Sequence, residues 1–243
     1  MEFSSLPFPF PLEKGDIICK RASILTQLLC QDDEFCCIPS GLPAKQTLRN
    51  MLILYDKQFF SGLLLRKLPG LTVTLSSRLT SSAGKFVYTR GMFGRIAQAE
   101  IRMSSDFLTR LRKGPFLLNG LHAATAQEAF LIVFEHELCH AAEVLLFRNT
   151  GHSNRFLALA NGLFGHTATR HSLPTRRQEA AESGLHVGSK AAFSYDGKQL
   201  QGIITYIGKS VTVMVPSSRG AYRDAHGCRY EKYRVPAQRL TIL

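Results

Sequence analysis

No two of the six cysteines in this 243-residue chain form a Cys-x-x-Cys pair. They stand at positions 19, 30, 36, 37, 139 and 228, which excludes zinc-ribbon spacing and a dense disulfide scaffold. A reducing, intracellular compartment follows as the expectation. Long apolar runs are lacking too. The longest, Ala129–Phe134, falls far short of the ~20 residues of a membrane span, so no membrane partner is expected. Residues 1–16 have no basic stretch ahead of an apolar one and are broken by Pro7, Pro9 and Pro11, unlike a secretory signal. Internal repeats and low-complexity tracts are missing as well.

Acidic residues are scarce. Eighteen Asp and Glu face 30 Lys and Arg, for a formal net charge of +12 and a pI near 9.7. A polyanion is the partner such a balance suggests. The excess is unevenly spread: residues 1–40 are net −3, residues 41–170 net +9 and residues 171–243 net +6. With 45% hydrophobic residues the chain reads as globular.

Local patterns divide the chain in four. Residues 1–44 read as an N-terminal extension, partly flexible, with one short helix over 17–30. Residues 45–170 read as α+β. A helix is predicted over Leu48–Phe60, strands at Leu71–Ser76, Lys85–Thr89 and Ala99–Met103, and a helix capped by Ser104 or Ser105 that runs to Leu111. Residues 171–184, with Pro174, Arg176 and Arg177, read as a linker. Residues 185–243 hold strand candidates Val187–Tyr195, Leu200–Ile207, Val211–Pro216 and Arg229–Val235, with hairpin signals such as Asp196-Gly197 between them. So many short strands in so few residues predict a small all-β barrel.

The chemistry lies in Thr125–His152. Thr125-Ala-Gln-Glu128 fits a capping box, and the helix it opens runs about six turns, apolar nearly all round, to terminators at Asn149 or Gly151. Within it stands His136-Glu-Leu-Cys-His140. Residues four apart share a helical face, so His136 and His140 can hold one metal ion. Glu137, rotated by about 100° from His136, reaches a metal-bound water rather than the metal. Zinc lowers the pKa of such water to roughly 7, and the glutamate takes its proton. Catalytic zinc needs three protein ligands and an open position. His152 is the best third ligand, because Ser153 can cap a following helix whose stripe is Phe156, Leu159, Ala160 and Leu163, ending at Gly165. His166, His171 and Glu143 are weaker alternatives. His122, His186 and His226 are expected to carry no metal, and Cys139 to fill core.

The sequence resembles the SprT-like (Spartan-type) zinc metalloproteases. The resemblance rests on Leu54-Tyr-Asp-Lys-Gln-Phe-Phe-Ser-Gly62, Ser77-Arg-Leu-Thr-Ser-Ser-Ala-Gly84, Ile101-Arg-Met-Ser-Ser105, His136-Glu-Leu-Cys-His-Ala-Ala142 and Gly151-His-Ser-Asn-Arg-Phe156. It implies a minimal zincin-type domain with a buried HExxH helix, zinc (Zn2+) on His136, His140 and His152, and Glu137 as general base. It also implies DNA-stimulated cleavage of proteins bound or crosslinked to DNA. Arg78, Lys85, Arg90, Arg95 and Arg102 are then candidate nucleic-acid contacts, and the nucleus is the expected location in a cell that has one. Departures are Ser153 where the family often has glycine, and no tryptophan after the second ligand, where Val144 stands. The cysteine-rich ribbon, ubiquitin-binding finger and sliding-clamp peptide of other members are not recognisable. The tail resembles a Tudor- or KOW-like barrel through Val187-Gly-Ser-Lys-Ala-Ala-Phe193, Gly202-Ile-Ile204 and Val211-Thr-Val-Met-Val215. Two other functions stay open: an adaptor with structural zinc closed by a fourth ligand, and a zinc peptidase indifferent to DNA.

Overall fold

The computed structural model describes residues 6–68, 70–111, 114–169, 180–181 and 183–243. The predicted linker, with Arg176, Arg177 and His171, lies almost wholly outside the described residues. Two compact units result, Met1–Leu173 and Pro174–Leu243.

The first unit begins with α1 (Lys14–Gln31), α2 (Asp33–Cys36), α3 (Lys45–Phe60) and α4 (Leu63–Lys67). Ile17, Ile24 and Leu28 recur at helical spacing on α1, and all three are buried. The segment expected to be a partly flexible extension is therefore corrected: from Phe8 onward it packs into the main core. Phe8, Ile24, Leu28, Phe35 and Ile38 belong to the same apolar cluster as α3 and the long helix described below. Polar ties reinforce the packing. Asp32 accepts the Glu34 N–H at 2.8 Å to cap α2, and its other oxygen accepts from the Thr47 hydroxyl at the start of α3.

Three strands follow, β1 (Thr72–Ser76), β2 (Gly84–Arg90) and β3 (Ile96–Ser104), in the order β1-β3-β2. β1 runs parallel to β3 and β2 antiparallel to it, with Val73 and Phe86 both opposite Ile101. Ala99, Ile101 and Met103 alternate toward the core while Gln98, Glu100 and Arg102 face outward. β2 is an edge strand. Ser104 Oγ accepts the Phe107 N–H at 3.0 Å and caps α5 (Ser105–Arg110).

A tight hairpin of β4 (Phe116–Leu118) and β5 (Leu121–Ala123) comes next, unforeseen in the sequence reading. Asn119 (φ 51°) and Gly120 (φ 80°) form its turn, both left-handed as a two-residue hairpin of this kind requires. α6 (Ala126–Phe147) then runs through the core. Phe130, Phe134, Leu138 and Cys139 are wholly buried along it. Its end differs from the expected terminators: Arg148 itself takes the left-handed position (φ 57°) and donates its N–H to Val144 O at 2.9 Å. α7 (Asn154–Phe164) closes at Gly165.

The second unit holds β6 (Lys190–Tyr195), β7 (Lys198–Ile207), β8 (Val211–Pro216), β9 (Tyr222–Arg223), β10 (Arg229–Val235) and β11 (Thr241–Ile242). They form one antiparallel sheet, ordered β11-β6-β7-β8-β10-β9, over Ala191, Phe193, Ile204, Val213 and Val235. The expected barrel is corrected to an open sheet: β11 and β9 are its two edges, and no pairing joins them among the described residues.

Candidate metal centre

The capping box expected at the start of α6 is present. Thr125 Oγ1 accepts the Glu128 N–H at 3.1 Å, and the Glu128 carboxylate accepts the Thr125 N–H at 3.2 Å. Fixed this way, α6 carries His136 and His140 on one face, with ring centroids 4.9 Å apart.

His152 comes to them from the loop between α6 and α7. His152 Nε2 lies 2.9 Å from His136 Nε2 and 3.2 Å from His140 Nε2. Nitrogens bound tetrahedrally to one zinc at ordinary bond lengths stand about 3.3 Å apart, close to both of these separations. Among the described residues these three histidines form the group able to hold a metal ion. They differ in exposure: His136 is buried, His140 half-buried and His152 exposed, which leaves one side open to solvent.

Several contacts hold the loop that carries His152. Glu143, fully buried, accepts the Gly151 N–H at 2.9 Å through one oxygen and Arg155 Nε at 2.9 Å through the other. Arg155 lies over the Phe147 ring at 4.4 Å. Ser153 caps α7 by accepting the Phe156 N–H at 3.4 Å. Thr150 Oγ1 sits 2.6 Å from His140 Nδ1, which leaves His140 Nε2 for a metal. The Phe156 ring lies 4.4 to 5.2 Å from all three imidazoles and packs against the cluster. Phe156 read from the sequence as one member of an apolar stripe, and nothing in that stripe distinguished it from Leu159.

Burial, and to a lesser degree the neighbouring His152, lowers the His140 pKa to about 4, so the imidazole is in the neutral form that binds metal. Glu137 is also buried, and burial pushes its carboxyl up to about 8, against the opposing pull of the Phe86 backbone N–H. A dication at the histidines would oppose that rise. Gly84, the first residue of β2, makes the room Glu137 occupies. A Cβ there would stand 2.7 Å from both Cγ and Oε1 of Glu137. The Gly84 position was visible in the sequence, but its contact with Glu137 joins two elements far apart along the chain.

The remaining candidates are elsewhere. His166 is fully buried and bonds Glu135 at 3.0 Å, away from the three-histidine group. Glu135 also accepts from Arg21 at 2.7 and 2.8 Å and from Tyr55 at 2.8 Å. Burial works against its ionisation, yet the Arg21 charge and the His166 and Arg21 hydrogen bonds hold its carboxyl below the usual range. Glu143 serves the loop, Cys139 is buried in the core, and His122, His186 and His226 are exposed. All five candidate nucleic-acid residues are exposed. Lys85 stands opposite Arg102, which pairs with Glu100 at 2.7 Å, while Arg90 and Arg95 flank the turn between β2 and β3.

Comparison with known families matches residues 48–177, 130 of the 243, to the SprT-like family. Among curated proteins no match is found. Among the described residues no helix is long and apolar enough to cross a membrane.

Proposed function

This chain belongs to the SprT-like family and carries a metallopeptidase-like domain; from that premise we propose that it is a zinc-dependent endopeptidase acting on DNA-bound or DNA-crosslinked proteins. One observation carries the reading: three imidazole nitrogens converge within 4.8 Å on an open face, with Glu137 beside them on the same helix. Three protein ligands are the number a catalytic zinc uses. Zinc held there would supply a Lewis acid for a peptide carbonyl and lower the pKa of water.

The chain's own residues do the rest. Thr150 orients His140 through Nδ1, and Glu143 fixes the loop that presents His152. Glu137, held against Gly84 and the Phe86 N–H, accepts a proton on its carboxylate as water attacks and returns it to the leaving amine. Edge strand β2 lies next to this carboxylate, and apart from the Phe86 N–H bound by Glu137 its outer side meets no further strand among the described residues, which suits an extended peptide. No side-chain pocket for a particular residue is needed in such a mode, so selection falls to proximity on DNA. The charge of +9 over residues 41–170 supports that partner, and the intracellular location follows from it.

Cleavage of a DNA-bound protein, compared with cleavage of an unfolded protein free of DNA across a salt series, tests the substrate class. Cleavage that requires DNA and weakens with salt is expected. Equal cleavage of both substrates at every salt concentration would replace this reading with that of a general peptidase.

A further inference from the structure

We propose that Lys67, Arg90, Arg95 and Arg148 form a phosphate-binding pocket that anchors one backbone phosphate of a polynucleotide near the start of the loop carrying His152. The four residues come from the end of α4, the end of β2, the turn between β2 and β3, and the C-terminal cap of α6. They line one pocket of about 270 Å³, closed otherwise by Gly94, Ile96, Val144 and Leu145. Among the described residues no carboxylate lies in its wall. Four cations gathered without an acid repel one another, and an anion relieves that repulsion.

Local structure gathers these charges. The β2–β3 register slips at Thr89/Arg90, a bulge of the kind that re-aims a side chain. Gly91 N–H donates to Arg95 O at 2.8 Å, which closes the turn and brings Arg90 and Arg95 to its two sides. Arg90 donates to the Arg148 carbonyl, so the end of α6 accounts for one cation. Among the described residues Lys67, Arg95 and Arg148 have no such contact. Arg148 adds a cost of its own, since φ 57° is a backbone state that favours glycine. A strained arginine at a pocket lip points to function.

The wall's chemistry selects the ligand. Three guanidinium forks and an ammonium suit tetrahedral phosphate oxygens. Among the described residues the rest of the wall is aliphatic or glycine, so the contact is to backbone and independent of sequence. Arg148 lies two turns of helix beyond His140 and four residues before His152, so a strand held there passes close to the metal centre.

This inference rests on the nucleic-acid reading above, and its test separates the two. Binding of a labelled oligonucleotide would be measured by anisotropy over a salt series for the full chain, for Arg148→Gly (which relieves backbone strain) and for Lys67→Gln with Arg95→Gln. The expected result is about tenfold weaker binding in each variant and a salt slope lower by about one per lost phosphate contact, with no dependence on base sequence. Unchanged affinity and slope in folded, zinc-loaded variants would overturn the pocket and leave the DNA reading standing. Failure of the wild type to bind any oligonucleotide would overturn both. Pyrophosphate is a control: thermal stabilisation by it that the variants lose, without oligonucleotide binding, would assign the pocket to a free phosphate and overturn the polynucleotide anchor.

Discussion

Replacing Arg21 with methionine would remove the cation that lets α6 bury the Glu135 carboxylate, one residue before His136. Glu135 is wholly buried and receives two bonds from Arg21, at 2.7 and 2.8 Å, one from Tyr55 and one from His166. Breaking a buried ion pair from one side costs about 3–5 kcal/mol. The surviving Tyr55 and His166 bonds, and the option for Glu135 to take up a proton, place the loss nearer the lower figure. At about 2–4 °C per kcal/mol for a unit of this size, the melting temperature should fall by roughly 6–12 °C. Methionine keeps the length of the stem, so lost packing contributes little. The pH dependence carries the sign. Glu135 has a lowered folded pKa, so its contribution is present above the unfolded carboxylate range and lost as pH falls through the folded value. Urea unfolding of zinc-loaded protein should therefore show the gap between wild type and variant narrowing in acid. A variant within about 0.5 kcal/mol of wild type at neutral pH would refute the argument, because a solvated surface pair gives that little.

Two further perturbations probe the centre itself. Gly84→Ala should push Glu137 off its seat and lower kcat by about tenfold or more, with zinc stoichiometry unchanged; a wild-type kcat would show that the carboxylate acts from another position. Thr150→Val removes the partner of His140 Nδ1 and should weaken zinc about 10- to 100-fold in a chelator competition, while melting of the metal-free protein stays near wild type.

How much of this was legible in the sequence varies with the range of the interactions. The α6 helix was readable because its cap, its apolar run and its two histidines are all local. His152 was readable as well, since it stands just after the helix and just before the Ser153 cap. The packing of α1 was not. Its apolar spacing suits any amphipathic helix, and Arg21 meets Glu135 across 114 residues of sequence. The β4–β5 hairpin was missed because strands of three residues show no alternation, although Asn119-Gly120 between apolar neighbours was a usable signal. Whether the C-terminal sheet closes depends on whether its end strands β9 and β11 meet, a long-range pairing that local hydropathy does not encode. The cationic pocket draws Lys67, Arg90, Arg95 and Arg148 from four elements, so only the fold assembles it.

The most direct test of the account is cleavage of a DNA-bound protein by zinc-loaded wild type and Glu137→Gln side by side, with bound zinc measured in both. The account predicts one zinc per chain in each protein and cleavage by the wild type alone. Cleavage by Glu137→Gln at a near wild-type rate would contradict it, as would wild-type protein that holds one zinc and cleaves nothing.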